Sequence, residues 1–398
     1  MHTSPLALPG SGDSGGMNVY VRELVGSLAR AGVPSDVFVR RWRDDLPDIV
    51  DVEPGFRVVH VSAGASDLPK EELPDTVEMF TAGVANHIRA RHDIDAIHAN
   101  YWLSGLVGHA LKHQFDLPLV STFHTLARVK ADQGVGDAEP SQRADAEHDV
   151  IGCSDSILAS CEAEATDLVE HYGAPRDRIE IVPPGVDHAF FSPGDRRGAR
   201  AALGLGPAPV LLFVGRIQPL KGLTTAISTL AALTSSPDAI LLVVGGPSGA
   251  DGPDELARAQ KLAASLGVTE RVRFVDPQPH HLLSVYYRAA DVCLVPSRSE
   301  SFGLVALEAA ACGTPVVAAA VGGLTTLVHH GRTGFLIDER DAVQYAAAVA
   351  EILASPALAR SMSASAAALA STYTWSTTAG RLRRLYADLT SRSLVICA

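Results

Sequence analysis

One pattern constrains this chain more than any other: short apolar runs alternate with amphipathic stretches almost from end to end. In the first half the runs are SDVFVRR, FRVVHVSA, DAIHANY, LPLVSTFH, SILAS and IEIVPP; in the second they are VLLFVGR, AILLVVGG, RVRFVDP, DVCLVPS, PVVAAA and TGFLIDE. Among the intervening stretches, MNVYVRELVGSLARAGV places Val21, Leu24, Val25 and Leu28 on one helical face and offers Gly32 as its stop. Continuous apolar runs are buried on both faces, and strand–helix alternation assembles them into parallel sheets covered by helices.

The alternation is interrupted once. PPGVDHAFFSPGDRRGARAALGLGPAP, near residue 185, is rich in proline, glycine and charge and reads as an interdomain linker. A chain of 398 residues is long enough for about two domains. The expected fold class is therefore α/β: two doubly wound parallel-sheet (Rossmann-like) domains facing across a cleft, residues 1–188 and 189–372, with a helical segment 373–398 after them. Such domains bind ligands beyond the carboxyl ends of their strands.

Charge excludes several functions. The formal net charge is −12, which opposes binding to nucleic acid or to an anionic membrane surface; a small anion needs its own local basic site. The apolar runs are far shorter than the roughly 18 residues that span a bilayer, and the first residues lack the basic start of a signal peptide. Five cysteines at wide spacings, with no C-x-x-C pair, argue against zinc and redox motifs and suit a reducing, cytoplasmic setting. Asp93 and Asp95 lead into a strand, and His280–His281 and His329–His330 read as surface pairs, so no metal site is expected.

The chain opens with PGSGDSGGMNVY, and Gly10 to Gly15 match G-x-G-x-x-G. A dinucleotide fingerprint needs a strand before it and an acid ending the second strand. Only nine residues precede Gly10, Pro5 and Pro9 among them, and the next strand candidate ends VFVRRWR. What survives is a glycine loop at a helix N-terminus, with Gly15 and Gly16 letting the backbone approach a phosphate. A plain tight turn with a capped helix is the alternative.

A second constellation lies in the other half. FVGRIQPLKG ends a strand with Arg216 and places Lys221 five residues on, GGPSG (Gly245 to Gly249) ends the next strand, and SESFGLVALE sets Glu300 and Glu308 eight apart around Phe302, Gly303 and Leu304. Arg and Lys at strand ends suit a diphosphate, N–H groups opening a helix suit another phosphate contact, and carboxylates accept hydrogen bonds from sugar hydroxyls. Taken singly each is an ordinary surface feature; together they point to a nucleotide-diphosphate site.

On these residues the sequence resembles the group 4 retaining GT-B glycosyltransferases, whose signature is the E-x7-E pair. HTSPLALPGSGDSGGMNVYV and NYWLSGLVG are similar, more narrowly, to the D-inositol-3-phosphate glycosyltransferases of mycothiol biosynthesis. The resemblance implies a retaining hexosyl transfer, N-acetylglucosamine passing from UDP to 1D-myo-inositol 3-phosphate, with no cofactor beyond the nucleotide sugar and no metal. It makes the first domain the acceptor half and the second the donor half, with the C-terminal helix crossing back to the first. Gly15 and Gly16 then approach the donor phosphates, and Arg216 and Lys221 hold the leaving diphosphate. Glu300 contacts the donor sugar, Glu308 the ribose, Phe302, Gly303 and Leu304 the phosphates, and Arg288 lies near the base. His124 lies beside the reacting carbon. Asn18 contacts the inositol ring, while Lys70, Tyr101, Thr125 and Arg143 hold the acceptor phosphate. Partners are small molecules, with a homodimer as a further option.

The sequence departs from that subfamily in three places. No strand precedes HTSPL, so that the first domain either lacks a strand or has its start set too late; Asn100 stands where a histidine is usual; and LKGLTTA lacks the usual Ala-Pro. Two other functions stay open: a related natural-product transferase with another UDP- or GDP-sugar and an acceptor such as a small thiol, and a nucleotide-sugar-binding or epimerase-type GT-B protein.

Overall fold

The computed structural model describes residues 1–10, 12–91, 93–134, 142–249 and 251–397. Ser11, inside the glycine stretch, lies outside them. The chain divides into two compact units. One comprises Met1–Leu6, Tyr20–Pro184 and Trp375–Ala398; the other comprises Ala7–Val19 and Gly185–Thr374. Residues 7–19, which the sequence reading kept in the first domain, thus pack with the second unit.

Among the described residues the first unit holds seven strands in two sheets. Strands β1 (Ser35–Arg40), β2 (Ile49–Glu53) and β3 (Phe56–Val61) form the order β1-β3-β2, β1 parallel and β2 antiparallel to β3. Strands β4 (Ile97–Asn100), β5 (Leu119–Thr122), β6 (Ser156–Ala159) and β7 (Ile179–Ile181) form an all-parallel sheet in that order. The single doubly wound sheet expected here is therefore two sheets, and among the described strands none joins them. β2 escaped the sequence reading because IVDVE alternates charge with apolar residues; it is the outer arm of a hairpin turned at Pro54–Gly55, where Gly55 has φ +84°. The helix Trp375–Leu389 belongs to this unit: Trp375, Ala379, Leu382 and Leu389 pack on Tyr20, Leu24, Leu28, Val120 and Leu158.

The second unit is one six-stranded parallel sheet. Strands β8 (Val210–Val214), β9 (Ile240–Val244), β10 (Val272–Val275), β11 (Val292–Val295), β12 (Val316–Ala319) and β13 (Gly334–Ile337) take the order β10-β9-β8-β11-β12-β13. β9 and β11 are buried throughout, as unbroken apolar runs require. Leu211, Phe213, Ile227, Leu230, Leu241, Val243, Tyr345 and Val349 are among the residues of the core between sheet and helices. Helix starts are capped in sequence-legible ways: Asp195 accepts from Arg197 N–H, Asp341 from Val343 N–H, and Ser355, followed by Pro356, from Leu358 N–H. The strand order reverses direction between β8 and β11, which makes the loops after those two strands the crevice of the sheet. No single helix among the described residues is long and apolar enough to cross a membrane.

Candidate functional site

In the second unit, the glycine stretch lies along the carboxyl edge of the sheet, following the strand order. Gly10 approaches Gly246 and Pro277, just beyond β9 and β10. Gly15 lies against Arg216, just beyond β8; a methyl group on Gly15 would stand 2.9 Å from the Arg216 Nε. Gly16 faces Leu304, at the start of the helix that follows β11. The stretch is held in shape by Asn18, buried, whose Oδ1 accepts the Gly15 N–H at 2.9 Å, and by Gly10 N–H donating to the Ser14 carbonyl at 2.9 Å. The match to G-x-G-x-x-G thus reflects a loop fed across a sheet edge, with no strand before it among the described residues.

The other donor-side residues gather on the loops beyond β8 and β11. Lys221 Nζ lies 2.6 Å from Glu300 Oε2, which also accepts from Ser297 Oγ at 3.3 Å. These loops touch closely: Gly222, at φ +71°, leaves room for the Pro296 carbonyl, which a methyl group there would meet at 2.2 Å. Phe302 is buried with its ring edge-on to Tyr373, and Gly303, at φ +102°, caps the helix Leu304–Ala311. Glu308 is buried inside that helix, Oε1 facing His280 Nε2 at 2.6 Å and Oε2 accepting from Tyr287 OH at 2.8 Å. His280 is consequently no surface residue: it is mostly buried, and its ring also lies 4.9 Å from that of Phe191. Sequence reasoning missed His280 and Tyr287 because nothing in HHLLSVYYR marks them as partners of a carboxylate lying beyond β11. Arg288 turns to the linker: its Nε donates to the Ser192 carbonyl at 2.8 Å, and the Phe190 carbonyl also accepts from its guanidinium.

In the first unit, the loops after β4 and β5 carry two residues with a backbone that favours glycine, Tyr101 at φ +78° and His124 at φ +63°. Strain of this kind in non-glycine residues concentrates at functional sites. Tyr101 is pinned by its N–H to the Thr122 carbonyl at 2.8 Å and caps the helix Trp102–Phe115. His124 Nε2 lies 2.8 Å from Asn100 Oδ1, so the residue that departs from the subfamily pattern orients this imidazole. Its ring meets that of Tyr20 edge-on at 4.9 Å. Burial first, and then the neighbouring His98, push the His124 imidazole down to about 3, while burial pushes His98 down to about 4. Both are neutral at physiological pH.

Lys70, Tyr101, Thr125 and Arg143 come together in this unit. The Arg143 guanidinium stacks over the Tyr101 ring at 4.9 Å, and Lys70 Nζ lies 5.8 Å from the same ring. Arg143 also donates to Thr125 Oγ1 at 2.9 Å, to the Thr125 carbonyl at 2.8 Å and to Tyr101 OH at 3.3 Å. It is fully buried, as is Glu147, whose Oε1 it contacts at 2.7 Å. Glu147 Oε2 in turn accepts from the Ala127 N–H and from Tyr172 OH. Glu147 was missed in the sequence, although its four-residue spacing from Arg143 is that of a helical ion pair.

Cys153 and Cys397 also meet in this unit, joined as a disulfide across 244 residues, with their Cα atoms 4.9 Å apart. Wide spacing had argued against any such convergence.

The family description Glycosyl transferases group 1 matches residues 195–368, and Glycosyl transferase 4-like domain matches residues 15–185. The D-inositol 3-phosphate glycosyltransferase of Geodermatophilus obscurus is 47% identical, covering 97% of this chain and 87% of that protein. The protein of the same name from Acidothermus cellulolyticus is 46% identical, covering 98% of this chain and 89% of its own length. Among solved structures, sucrose-phosphate synthase from Thermosynechococcus elongatus superposes with a TM-score of 0.90 at 35% identity, covering 98% of this chain and 97% of that one. Anabaena Alr3699/HepE, in complex with UDP and glucose, superposes at 0.78 with 21% identity over 96% of this chain and 98% of its own, a likeness of fold.

Proposed function

The chain belongs to the glycosyltransferase family that includes the D-inositol 3-phosphate glycosyltransferases, and on that premise we propose that it transfers N-acetylglucosamine from UDP to 1D-myo-inositol 3-phosphate with retention. The observation that carries the acceptor reading is the cluster of Lys70, Tyr101, Thr125 and Arg143. Two cations and two hydroxyls converge there in a protein of net charge −12, which is what a small phosphorylated acceptor requires. Arg143, compensated by Glu147, sets the positions of Tyr101 and Thr125; Lys70 supplies the cation nearer to solvent.

The donor diphosphate is assigned to the loops beyond β8 and β11, against Gly15 and Gly16, with Arg216 and Lys221 carrying the charge. In the reaction the bond from the anomeric carbon to the leaving phosphate oxygen breaks, and the acceptor hydroxyl oxygen bonds to that carbon from the same face. The hydroxyl proton passes to the leaving phosphate, so that no protein base is called for. Arg216 and Lys221 stabilise the charge that builds on the diphosphate, a role that asks for no metal. Lys221 donates to Glu300, which orients the ammonium and sets Glu300 beside it for the sugar hydroxyls. His124, neutral, contributes hydrogen bonding and shape beside the reacting carbon and adds no positive charge there.

The test is a matrix of UDP- and GDP-sugars against inositol 3-phosphate, inositol and small thiols, with products read by mass spectrometry. The expected result is product from UDP-N-acetylglucosamine and inositol 3-phosphate. Turnover of a thiol or of unphosphorylated inositol at comparable kcat/KM would overturn the acceptor assignment.

A further inference from the structure

Four metal-ligating side chains converge away from the transferase residues, on the later turns of the helix Trp102–Phe115, at the end of the helix Arg143–Cys153 and in the C-terminal tail. His109 and His113 lie four residues apart on the helix Trp102–Phe115, hence on one face, with ring centroids 5.0 Å apart. Cys153 ends the helix Arg143–Cys153, and Cys397 arrives from the C-terminal tail. One ligand atom from each of the four lies within 4.8 Å of all the others. His113 Nε2 is 3.1 Å from Cys397 Sγ and 3.5 Å from Cys153 Sγ.

We infer that His109, His113, Cys153 and Cys397 bind one zinc ion in a structural site. Tetrahedral zinc with nitrogen ligands near 2.0–2.1 Å and sulfur ligands near 2.3 Å sets neighbouring N and S atoms about 3.5 Å apart, close to the spacing His113 has to both sulfurs. Two imidazoles with two thiolates form a donor set that suits zinc over magnesium or calcium. Four protein ligands leave no position for water, which makes the site closed and structural. The structure joins Cys153 and Cys397 as a disulfide, which accounts for the sulfurs but not for two imidazoles converging on them; zinc takes the reduced pair, as two thiolates.

The surroundings prepare the site. Asp155 Oδ1 accepts the Val395 N–H at 2.7 Å and so fixes the tail two residues before Cys397. Asp155 Oδ2 accepts from Lys112 Nζ at 2.8 Å, and the same ammonium donates to the Cys153 carbonyl at 2.8 Å. These outer contacts hold one ligand's backbone and deliver the other. Tyr101 caps the first helix and Arg143 opens the second, so the ion joins the later turns of both, roughly 12–18 Å along the helices from those residues at 1.5 Å rise per residue. A benefit to acceptor binding rests on the roles assigned above; the binding of zinc does not.

The experiment measures metal on the full chain. Protein purified with reductant and without chelator is assayed for metals by inductively coupled plasma mass spectrometry, and metal-stripped, reduced protein is titrated with ZnCl2. About one zinc per chain is expected, together with protection of two thiols from a thiol reagent that a chelator reverses. His109→Ala and Cys397→Ser, at the helix surface and in the tail, should each weaken zinc binding about 100-fold with unchanged circular dichroism. A non-reduced mass about 2 Da light, with no zinc taken up after reduction, would overturn the inference in favour of a disulfide. Failure of the reduced protein to take up zinc, with no mass change, would overturn it as well.

Discussion

Replacing Gly15 with alanine isolates the contact on which the donor assignment depends. Gly15 does not use the left-handed region, so its backbone accepts alanine without strain. The added carbon, however, would stand 2.9 Å from Arg216 Nε and 3.3 Å from Cζ, where carbon contacts require about 3.5–4.0 Å. The guanidinium must therefore withdraw by about 0.6–1 Å. A misplacement near 1 Å costs up to roughly 100-fold in rate, so kcat should fall about 10- to 100-fold, equivalent to about 1.4–2.8 kcal/mol of barrier. Removing the guanidinium, in Arg216→Ala, should cost about 10²–10³-fold. The assay is initial-rate kinetics at saturating donor and acceptor for the wild type, both single variants and the double variant. If Gly15 acts through Arg216, the double variant should be no slower than Arg216→Ala, because the alanine then has nothing left to displace. Losses that simply multiply, or a Gly15→Ala enzyme with wild-type kcat, would refute the reasoning.

Lys70→Ala should raise the acceptor KM about tenfold or more with little change in kcat, as loss of one charge-assisted contact does; steady-state kinetics with inositol 3-phosphate checks this, and unchanged KM would remove Lys70 from the acceptor site. Glu147→Ala leaves the fully buried Arg143 without its partner and should destabilise the first unit by about 3–5 kcal/mol, read as a lowered midpoint in urea. His124 and His98 titrate lower in the folded chain than the roughly 6.5 of an unfolded histidine. The unfolded chain therefore binds more protons between those values, so this stability is complete above about pH 6.5 and declines as pH falls toward 4. Urea midpoints measured from pH 7.5 to 4.5 should decline accordingly, and His124→Gln should flatten the profile; an identical slope in that variant would contradict the assignment.

The second unit was almost fully legible in the sequence because most of its strands, β8, β9, β11 and β12 above all, are unbroken apolar runs, and burial on both faces writes itself into composition. β2 was not legible: its alternation of Ile, Val and acids is that of an edge hairpin, and register with β3 arises only in the fold. Arg216, Lys221, Glu300 and Glu308 were marked by position at strand ends. Their partners were not, since the pairing of Glu308 with His280 and Tyr287 joins segments whose separation in sequence carries no period. The same holds for Cys153 and Cys397, which only the folding of the tail brings together.

The path of the chain has a consequence for how the protein is made. Neither unit is a continuous stretch: the second begins with Ala7–Val19 and resumes only at Gly185, and the first is completed only by the helix beginning at Trp375. On the ribosome the glycine stretch emerges long before the sheet edge that receives it, and the first unit cannot close its hydrophobic cluster around Tyr20, Leu24 and Val120 until the helix Trp375–Leu389 has emerged. The first unit is thus completed only after the second has been synthesised, and a gene cut at the linker would give two fragments, each missing a piece of its own unit.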